Sequence, residues 1–303
     1  MLAMECLAEF RLDCTLRRLT PRTVSGYYNT NKQCLDFLEG EFGLKELQLI
    51  KPTYLKVYFQ KLIQKGLKPS YINGVLKAMR AFFKYAVEEG YISDNPVLKV
   101  RWQREGKVLI NTFTDEEVRR LIGAFDGKSY LSMRNKLILA VAFDTGARNS
   151  EICSIAASDI RDNVILLHGK GNKERHVPLT PYVKKLIIKY ERMKDAYFFD
   201  NKPKDDRYFL SRTGRMLTKE ALEYIFTQAN ERANVRSTIR CSPHTARHYY
   251  AQANLKNGLD VYSLSRLLGH ENINITKRYL QSMQDESIVT LATKSSPLTN
   301  LKV

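Results

Sequence analysis

Four short stretches of this chain concentrate side chains able to handle a phosphodiester. They are residues 145–151 with Arg148, residues 169–175 with Lys170 and Lys173, residues 244–248 with Arg247 between His244 and His248, and residues 267–270 with Tyr279 nine positions beyond His270. Two arginines from separate parts of a chain can clamp the non-bridging oxygens of one phosphate, because the guanidinium fork matches that geometry and stays charged. Phosphoryl transfer needs such charge around its centre. A tyrosine phenol can serve as the nucleophile, forming a covalent intermediate that divides one hard step into two easier ones. Histidines can exchange protons with that phenol or donate to the phosphate. A lysine at a turn can protonate the leaving 5′ oxygen. With arginines supplying the positive charge, no metal is required and no cofactor is implied.

Each stretch also has a plainer reading. Arg148 and Glu151 stand at the i,i+3 spacing of an ordinary helical ion pair. Residues 169–173 can be an exposed turn, and they lack the Gly-x-x-x-x-Gly-Lys-Ser/Thr pattern of a phosphate loop. His244 and His248, one helical turn apart, can bind zinc. The Glu of His-Glu-x-x-His is absent, however, and Arg247 beside them repels a cation. Tyr279 is one of 17 tyrosines, most of which serve packing.

The elements that must position these residues are mostly helical. Thr20-Pro21, Lys51-Pro52 and Pro69-Ser70 start helices in the first hundred residues, with a further helix over about 3–18, so this part reads as a bundle of four or five helices. Asn95-Pro96 ends it, and Lys99, Arg101, Arg104 and Lys107 follow with only Glu105 opposing. The second part opens with a capping box, Thr114 to Glu117. Helices are expected to about Phe125 and over 130–145. Residues 164–167 and 175–179 are short extended runs joined by the Gly-rich turn, a β-hairpin. Helices then resume over 181–193, 218–233, 243–257, 260–268 and 272–282.

Length and charge bound the rest. At 303 residues the chain exceeds what one core usually supports, so two domains are expected. The apolar fraction of 44% excludes a disordered or fibrous chain. The longest apolar run, 137–143, is too short to span a bilayer, and the N-terminus does not read as a secretory signal. Five scattered cysteines without a Cys-x-x-Cys fit a reducing cytosol. The net charge of +17 points to a polyanion partner. That charge is uneven. Residues 1–98 hold 14 basic and 10 acidic side chains, and residues 99–303 hold 35 and 22.

Taken in order, the motifs resemble the tyrosine recombinase, or phage integrase, family. Gly146 to Glu151 matches its Gly-x-Arg-x-x-Glu, Gly169 to Arg175 its Gly-Lys-Gly-x-Lys-x-Arg hairpin, His244 to Arg247 its His-x-x-Arg, and Leu268 to Tyr279 its Leu-Gly-His with the following tyrosine. Thr23–Tyr27 and Asn95-Pro96 resemble the bounds of its helical core-binding domain. Ala147 and Ala246 depart from the larger apolar residues usual at those positions, which are packing sites.

The resemblance implies a mainly α fold with a small β-hairpin. A SAM-like N-terminal helical bundle (1–98) and a basic linker (99–112) would precede an α+β catalytic domain (113–303), the two domains gripping a duplex as a C-shaped clamp. It implies that Tyr279 is the nucleophile of a 3′-phosphotyrosyl intermediate and that Arg148 and Arg247 clamp the phosphate. Lys170 would be the general acid, His244 a proton acceptor near the tyrosine, His270 a donor to the phosphate and Glu151 a support for the arginine. Lys77, Arg80, Lys84, Arg101, Arg104, Lys173 and Arg175 are candidate DNA contacts. The implied partners are double-stranded DNA with paired sites and three further copies of the chain in a tetramer. Ile288, Val289, Leu291 and Leu298 offer a docking tail. The implied setting is a bacterial or archaeal cytoplasm, with no membrane. The short N-terminus leaves no room for an arm-site-binding domain, as in Xer-like members. The implied job is integration or excision of a mobile element, inversion, or resolution of DNA dimers. A type IB topoisomerase uses nearly the same residues and would relax supercoils without pairing sites. A non-catalytic DNA-binding protein would need no combination of Tyr279 with Lys170.

Overall fold

The computed structural model describes residues 1–106, 110–169, 173–280, 289, 292 and 293. The chain forms two compact units, Met1–Lys107 and Val108–Val303.

In the first unit, α1 (Ala3–Leu16), α2 (Pro21–Phe42), α3 (Pro52–Gln64) and α4 (Pro69–Glu88) form a bundle. Proline occupies the first turn of α2, α3 and α4, where its missing N–H costs nothing. The Thr20 hydroxyl accepts from Thr23 N at 3.3 Å and caps α2. Leu7, Phe10, Leu38, Leu55, Met79 and Phe82 are buried at the centre, each worth about 1.5–3 kcal/mol relative to exposure.

The chain leaving this bundle is tied back to α4. The Asn95 side chain accepts from Val97 N and starts a 3-10 turn, Pro96–Lys99. Asn73 then donates to Gln103 O at 2.9 Å and accepts from Gln103 N at 2.8 Å. Arg80 donates to Val100 O at 2.9 Å, and its guanidinium lies 4.6 Å from the centre of the Trp102 ring. In the structure the Arg80 guanidinium, expected at the DNA, faces the segment after the bundle. Lys77, Arg101 and Arg104 are exposed. Lys84 is exposed as well and pairs with Glu88 at 3.3 Å.

The second unit is built around α6 (Tyr130–Thr145), whose residues 137–142 are all buried. A helix apolar on every side must be surrounded. It packs against α5 (Asp115–Gly123), α8 (Pro181–Tyr197) and α10 (Pro243–Lys256). The capping box at the start of α5 forms as expected, with Thr114 N donating to Glu117 at 2.8 Å and Glu117 N to the Thr114 hydroxyl at 3.2 Å. Strands β1 (Val164–His168) and β2 (Glu174–Pro178) pair antiparallel, with Ile165 opposite Val177 and Leu167 opposite Arg175. The remaining helices are α7 (Asn149–Ser154), α9 (Lys219–Ala233), α11 (Val261–Leu268) and α12 (Ile273–Leu280). The six-residue α7 was not expected from the sequence, being too short for a periodic apolar stripe to register.

Among the described residues the fold is therefore mainly helical, with one two-stranded sheet. No helix among them is long and apolar enough to cross a membrane. Of the tail residues, Ile288, Leu291 and Leu298 lie outside the described residues, and Val289 is exposed.

Candidate active site

The site begins where α6 stops. Gly146 ends that helix in the left-handed region at φ 61°. An added Cβ would sit 2.5 Å from Cδ1 of Tyr250, so both conformation and space demand glycine here. The turn delivers Arg148 to the start of α7, and Glu151 lies one turn later. Glu151 is only 3% exposed and collects four hydrogen bonds. Its Oε2 accepts from Arg148 N and from Arg175 Nη2, each at 2.7 Å, and its Oε1 accepts from Arg148 Nη1 at 2.7 Å and Arg175 Nη1 at 2.9 Å. Burial pushes this carboxyl up, but Arg175 and Arg148 outweigh burial and hold it at about 2. Arg175 also donates from Nε to Leu267 O at 2.6 Å, and its side chain is 10% exposed. Arg175, expected as a DNA contact, thus directs its guanidinium at Glu151 and at the end of α11.

Helix α10 supplies the opposite side. Its first turn is capped by Ser242, whose hydroxyl accepts from Thr245 N. His244, Arg247 and His248 follow at i, i+3 and i+4 and share one face. Arg247 is 4% exposed. It donates from Nη1 to Gly146 O at 2.8 Å and from Nη2 to Leu268 O at 2.6 Å, and Nη2 also lies 3.0 Å from His270 Nε2. Arg148 donates from Nη2 to Gly269 O at 3.1 Å. The two guanidiniums thus hang from carbonyls at the ends of α6 and α11. His270 Nδ1 is 2.8 Å from the Thr276 hydroxyl on α12. On the same helix the Tyr279 hydroxyl lies 2.9 Å from His248 Nδ1, and His244 packs edge-on against the His248 ring at 4.2 Å. Arg148, His244, Arg247, His248, His270 and Tyr279 line one cleft of about 840 Å³.

Electrostatics here favour neutral histidines beside charged arginines. Burial, followed by His244, Arg247 and Arg278, lowers His248 to about 4. Burial, then Arg247, Arg148, Arg175 and His248, lowers His270 to about 4. His244 is lowered by burial, Arg247 and Arg240. Burial raises Tyr279 despite Arg247, Arg278 and Arg148, so its phenol keeps its proton until a base takes it. Burial and Arg148 bring Arg247 to about 10, still charged at neutral pH.

These shifts set a stability profile. An unfolded histidine titrates near 6.5, whereas His248 and His270 stay neutral in the fold to about 4. Between those limits the unfolded chain binds protons that the folded chain does not, so stability falls as pH falls through that window and is flat just above it. Glu151 has the same sign at lower pH, because its stabilisation is present above about 4.5 and is lost as pH approaches 2. The expected urea midpoint, followed by circular dichroism, declines from pH 6.5 to 4, and His248→Gln removes part of that decline. An identical slope in the variant contradicts the assignment.

The structure brings Arg148, Glu151, His244, Arg247, His270 and Tyr279 together, as the motif order implies. Lys170 lies outside the described residues. Lys173 is exposed and pairs with Glu271 at 2.7 Å. The ring bonded to Tyr279 is that of His248, not the His244 expected as the proton acceptor, which meets the tyrosine's partner edge-on. In the sequence His248 belonged to the same short stretch but carried no assigned role of its own. Among the described residues no group of three or more His, Cys, Asp or Glu side chains is placed to hold a metal ion.

The chain is similar to known proteins over most of its length. Residues 111–286 match the phage integrase family, and residues 6–92 match the phage integrase N-terminal SAM-like domain. The tyrosine recombinase XerC of Bacillus pumilus (strain SAFR-032) is 30% identical over 267 residues, covering 87% of each chain. The XerC of Lactobacillus leichmannii is 29% identical over 271 residues, covering 88% of this chain and 91% of that one. Among solved structures, the XerH site-specific recombinase in a post-cleavage complex with palindromic difH substrate has a TM-score of 0.74 at 18% identity, covering 93% of this chain and 82% of that one. A lambda integrase tetramer bound to a Holliday junction has a TM-score of 0.70 at 17% identity, covering 92% and 77%.

Proposed function

Because the chain belongs to the phage integrase family of tyrosine recombinases, we propose that it exchanges DNA strands at paired sites with Tyr279 as its nucleophile. The activity is site-specific recombination, the cutting and rejoining of DNA strands. The observation that carries the assignment of residues is that Arg148, Arg247, His270 and Tyr279, which come from four separate elements, line one cleft.

In this reading the scissile phosphodiester lies between Arg148 and Arg247, and each guanidinium neutralises one non-bridging oxygen. The Tyr279 hydroxyl passes its proton to His248 Nδ1, which is neutral and 2.9 Å away. The phenolic oxygen attacks phosphorus, and the bond from phosphorus to the 5′ oxygen breaks. Lys170 protonates that oxygen, leaving a free 5′-hydroxyl and a 3′-phosphotyrosyl link. Attack of a 5′-hydroxyl from the partner duplex reverses the sequence and releases Tyr279. The energy of the broken phosphodiester is retained in the tyrosyl ester, so rejoining needs no nucleotide. Glu151 and Arg175 hold Arg148 in place.

Residues 1–98 serve as the core-binding domain, residues 99–112 as the linker and residues 113–303 as the catalytic domain. Lys77, Lys84, Arg101, Arg104 and Lys173 are exposed cations that meet the duplex backbone. Two duplexes require four active tyrosines, so the working assembly is a tetramer on DNA. The lambda integrase neighbour, a tetramer bound to a Holliday junction, supports that reading, and the setting proposed is the cytoplasm, with chromosomal or mobile DNA as substrate.

Trapping of covalent adducts tests the proposal. Cells expressing the protein are lysed in detergent, and protein-linked DNA is recovered, digested and sequenced. The expected product is a tyrosyl-linked DNA at a discrete site, with Tyr279 carrying the phosphate. Relaxation of supercoils without recombination between two copies of that site would overturn the reading.

A further inference from the structure

His270 sits between a donor that cannot accept and a hydroxyl that can do either. Arg247 Nη2, 3.0 Å from His270 Nε2, carries only N–H groups. Their approach requires a lone pair on Nε2. A neutral imidazole with a bare Nε2 carries its proton on Nδ1, and Nδ1 lies 2.8 Å from the Thr276 hydroxyl. Thr276 is 0% exposed, so its hydroxyl is shielded from bulk solvent. From these contacts we infer that Thr276 is a positioning residue that holds His270 as the Nδ1–H tautomer and so reserves Nε2 for the scissile phosphate. This inference rests on the recombinase reading for its consequence, though not for the tautomer itself.

The consequence concerns a proton. When a phosphate oxygen takes the Arg247 Nη2 donor, His270 Nε2 loses its hydrogen-bond partner and faces an anion. It can bond that oxygen only by taking up one proton from solvent, which makes the ring an imidazolium. Thr276 accepts from Nδ1–H before and after this step, so the ring neither flips nor re-tautomerises. His270 is then a donor that becomes charged only once the phosphate is seated.

The charged and titratable groups facing His270 act in a consistent direction. Arg148 at the start of α7, Arg175 on β2, and Arg247 and His248 on α10 all oppose its protonation. The phosphate cancels part of that opposition. Glu151 is already shared between Arg148 and Arg175. On α12 itself, Arg278 and Tyr279 also line the cleft. Phosphate binding therefore raises the His270 pKa, and the cleavage rate carries an acid-favouring limb set by that ring.

The test uses the full chain and the variants Thr276→Val and Thr276→Ser. Ring nitrogen shifts of His270, read by long-range proton–nitrogen NMR near pH 7 without DNA, report the tautomer directly. Wild type and Thr276→Ser should show a protonated Nδ1 and a bare Nε2. In Thr276→Val the Nδ1 proton loses its acceptor while Arg247 still faces Nε2, so the Nδ1–H population should fall part of the way toward the other tautomer. Single-turnover cleavage of a suicide duplex should fall about 10- to 100-fold in Thr276→Val. The pH limb should move with it, while Thr276→Ser keeps both. A protonated Nε2 in wild type overturns the assignment. So does a Thr276→Val protein with an unchanged tautomer and pH limb, or one that is slower with the limb unmoved. If wild type shows the expected tautomer but cleaves no DNA, the recombinase reading fails and the Thr276 assignment stands.

Discussion

Tyr279→Phe is expected to bind duplex DNA as wild type does and to lose strand cleavage by about 10,000-fold or more. Phenylalanine keeps the ring that fills the pocket beside His248, so the packing is retained while the hydrogen bond to His248, worth about 1 kcal/mol, is lost. What disappears is the phenolic oxygen proposed to form the covalent ester, and no rearrangement of arginines replaces a missing nucleophile. Gel shift measures the retained binding, and denaturing electrophoresis of detergent-quenched reactions measures the adduct. Adducts formed by the phenylalanine variant at the wild-type rate would remove Tyr279 from its role and shift attention to another nucleophile in the cleft. Paired with the tyrosine's burial, 3% exposed, the result would also show that the hydroxyl rather than the ring is what the site is built to present.

Glu151→Ala is the change with the largest expected effect on the fold of the second unit. The carboxylate is buried and bonded to both Arg148 and Arg175. Removing it leaves Arg175 with a charge inside the protein and only the Leu267 carbonyl to face it. Breaking one side of a buried pair costs about 3–5 kcal/mol, far more than the pair itself contributes. Activity should fall further than stability predicts, because Arg148 loses the contact that aims it into the cleft. Glu151→Gln keeps two acceptor lone pairs on one oxygen and should recover part of the stability while Arg148 stays loosened. Urea denaturation and cleavage assays on the two variants separate these effects. A glutamine variant with full activity would show that the negative charge is dispensable.

Much of this was legible in the residues. The Thr-Pro and Lys-Pro starts of α2, α3 and α4, and the capping box at Thr114, are local signals that need no tertiary information. The order Arg148, His244, Arg247, His270, Tyr279 survives folding because each residue sits at a helix end or on one short helical face. What escaped was the direction of the charged side chains. Arg80 and Arg175 carry the same group that grips phosphate, and a sequence does not say whether a guanidinium faces a nucleic acid, a carbonyl or a buried carboxylate. For Arg175 a signal was present. The two-residue alternation of β2 puts it on the same side as Val177, opposite buried Leu167, which is the inward face. For Arg80 the signal lay in Trp102, twenty-two residues away and unconnected by any periodicity. The contact of His248 with Tyr279 was not legible because the motif pointed to His244, and Tyr279 lies 31 residues beyond His248.

The carbonyls at the ends of α6 and α11 have a further consequence. Arg148, Arg175 and Arg247 direct N–H groups at Gly269, Leu267, Gly146 and Leu268 oxygens. Those are the negative ends of two helix dipoles. Part of the charge on these arginines is thus offset by fixed protein dipoles and by Glu151. In the proposed complex, exposed cations such as Lys77, Arg101 and Arg104 exchange counter-ions for a DNA backbone to an extent that ionic strength governs. The two populations of positive charge therefore respond differently to added salt. Affinity for the duplex falls steeply with ionic strength, while the rate of cleavage within the bound complex stays nearly constant.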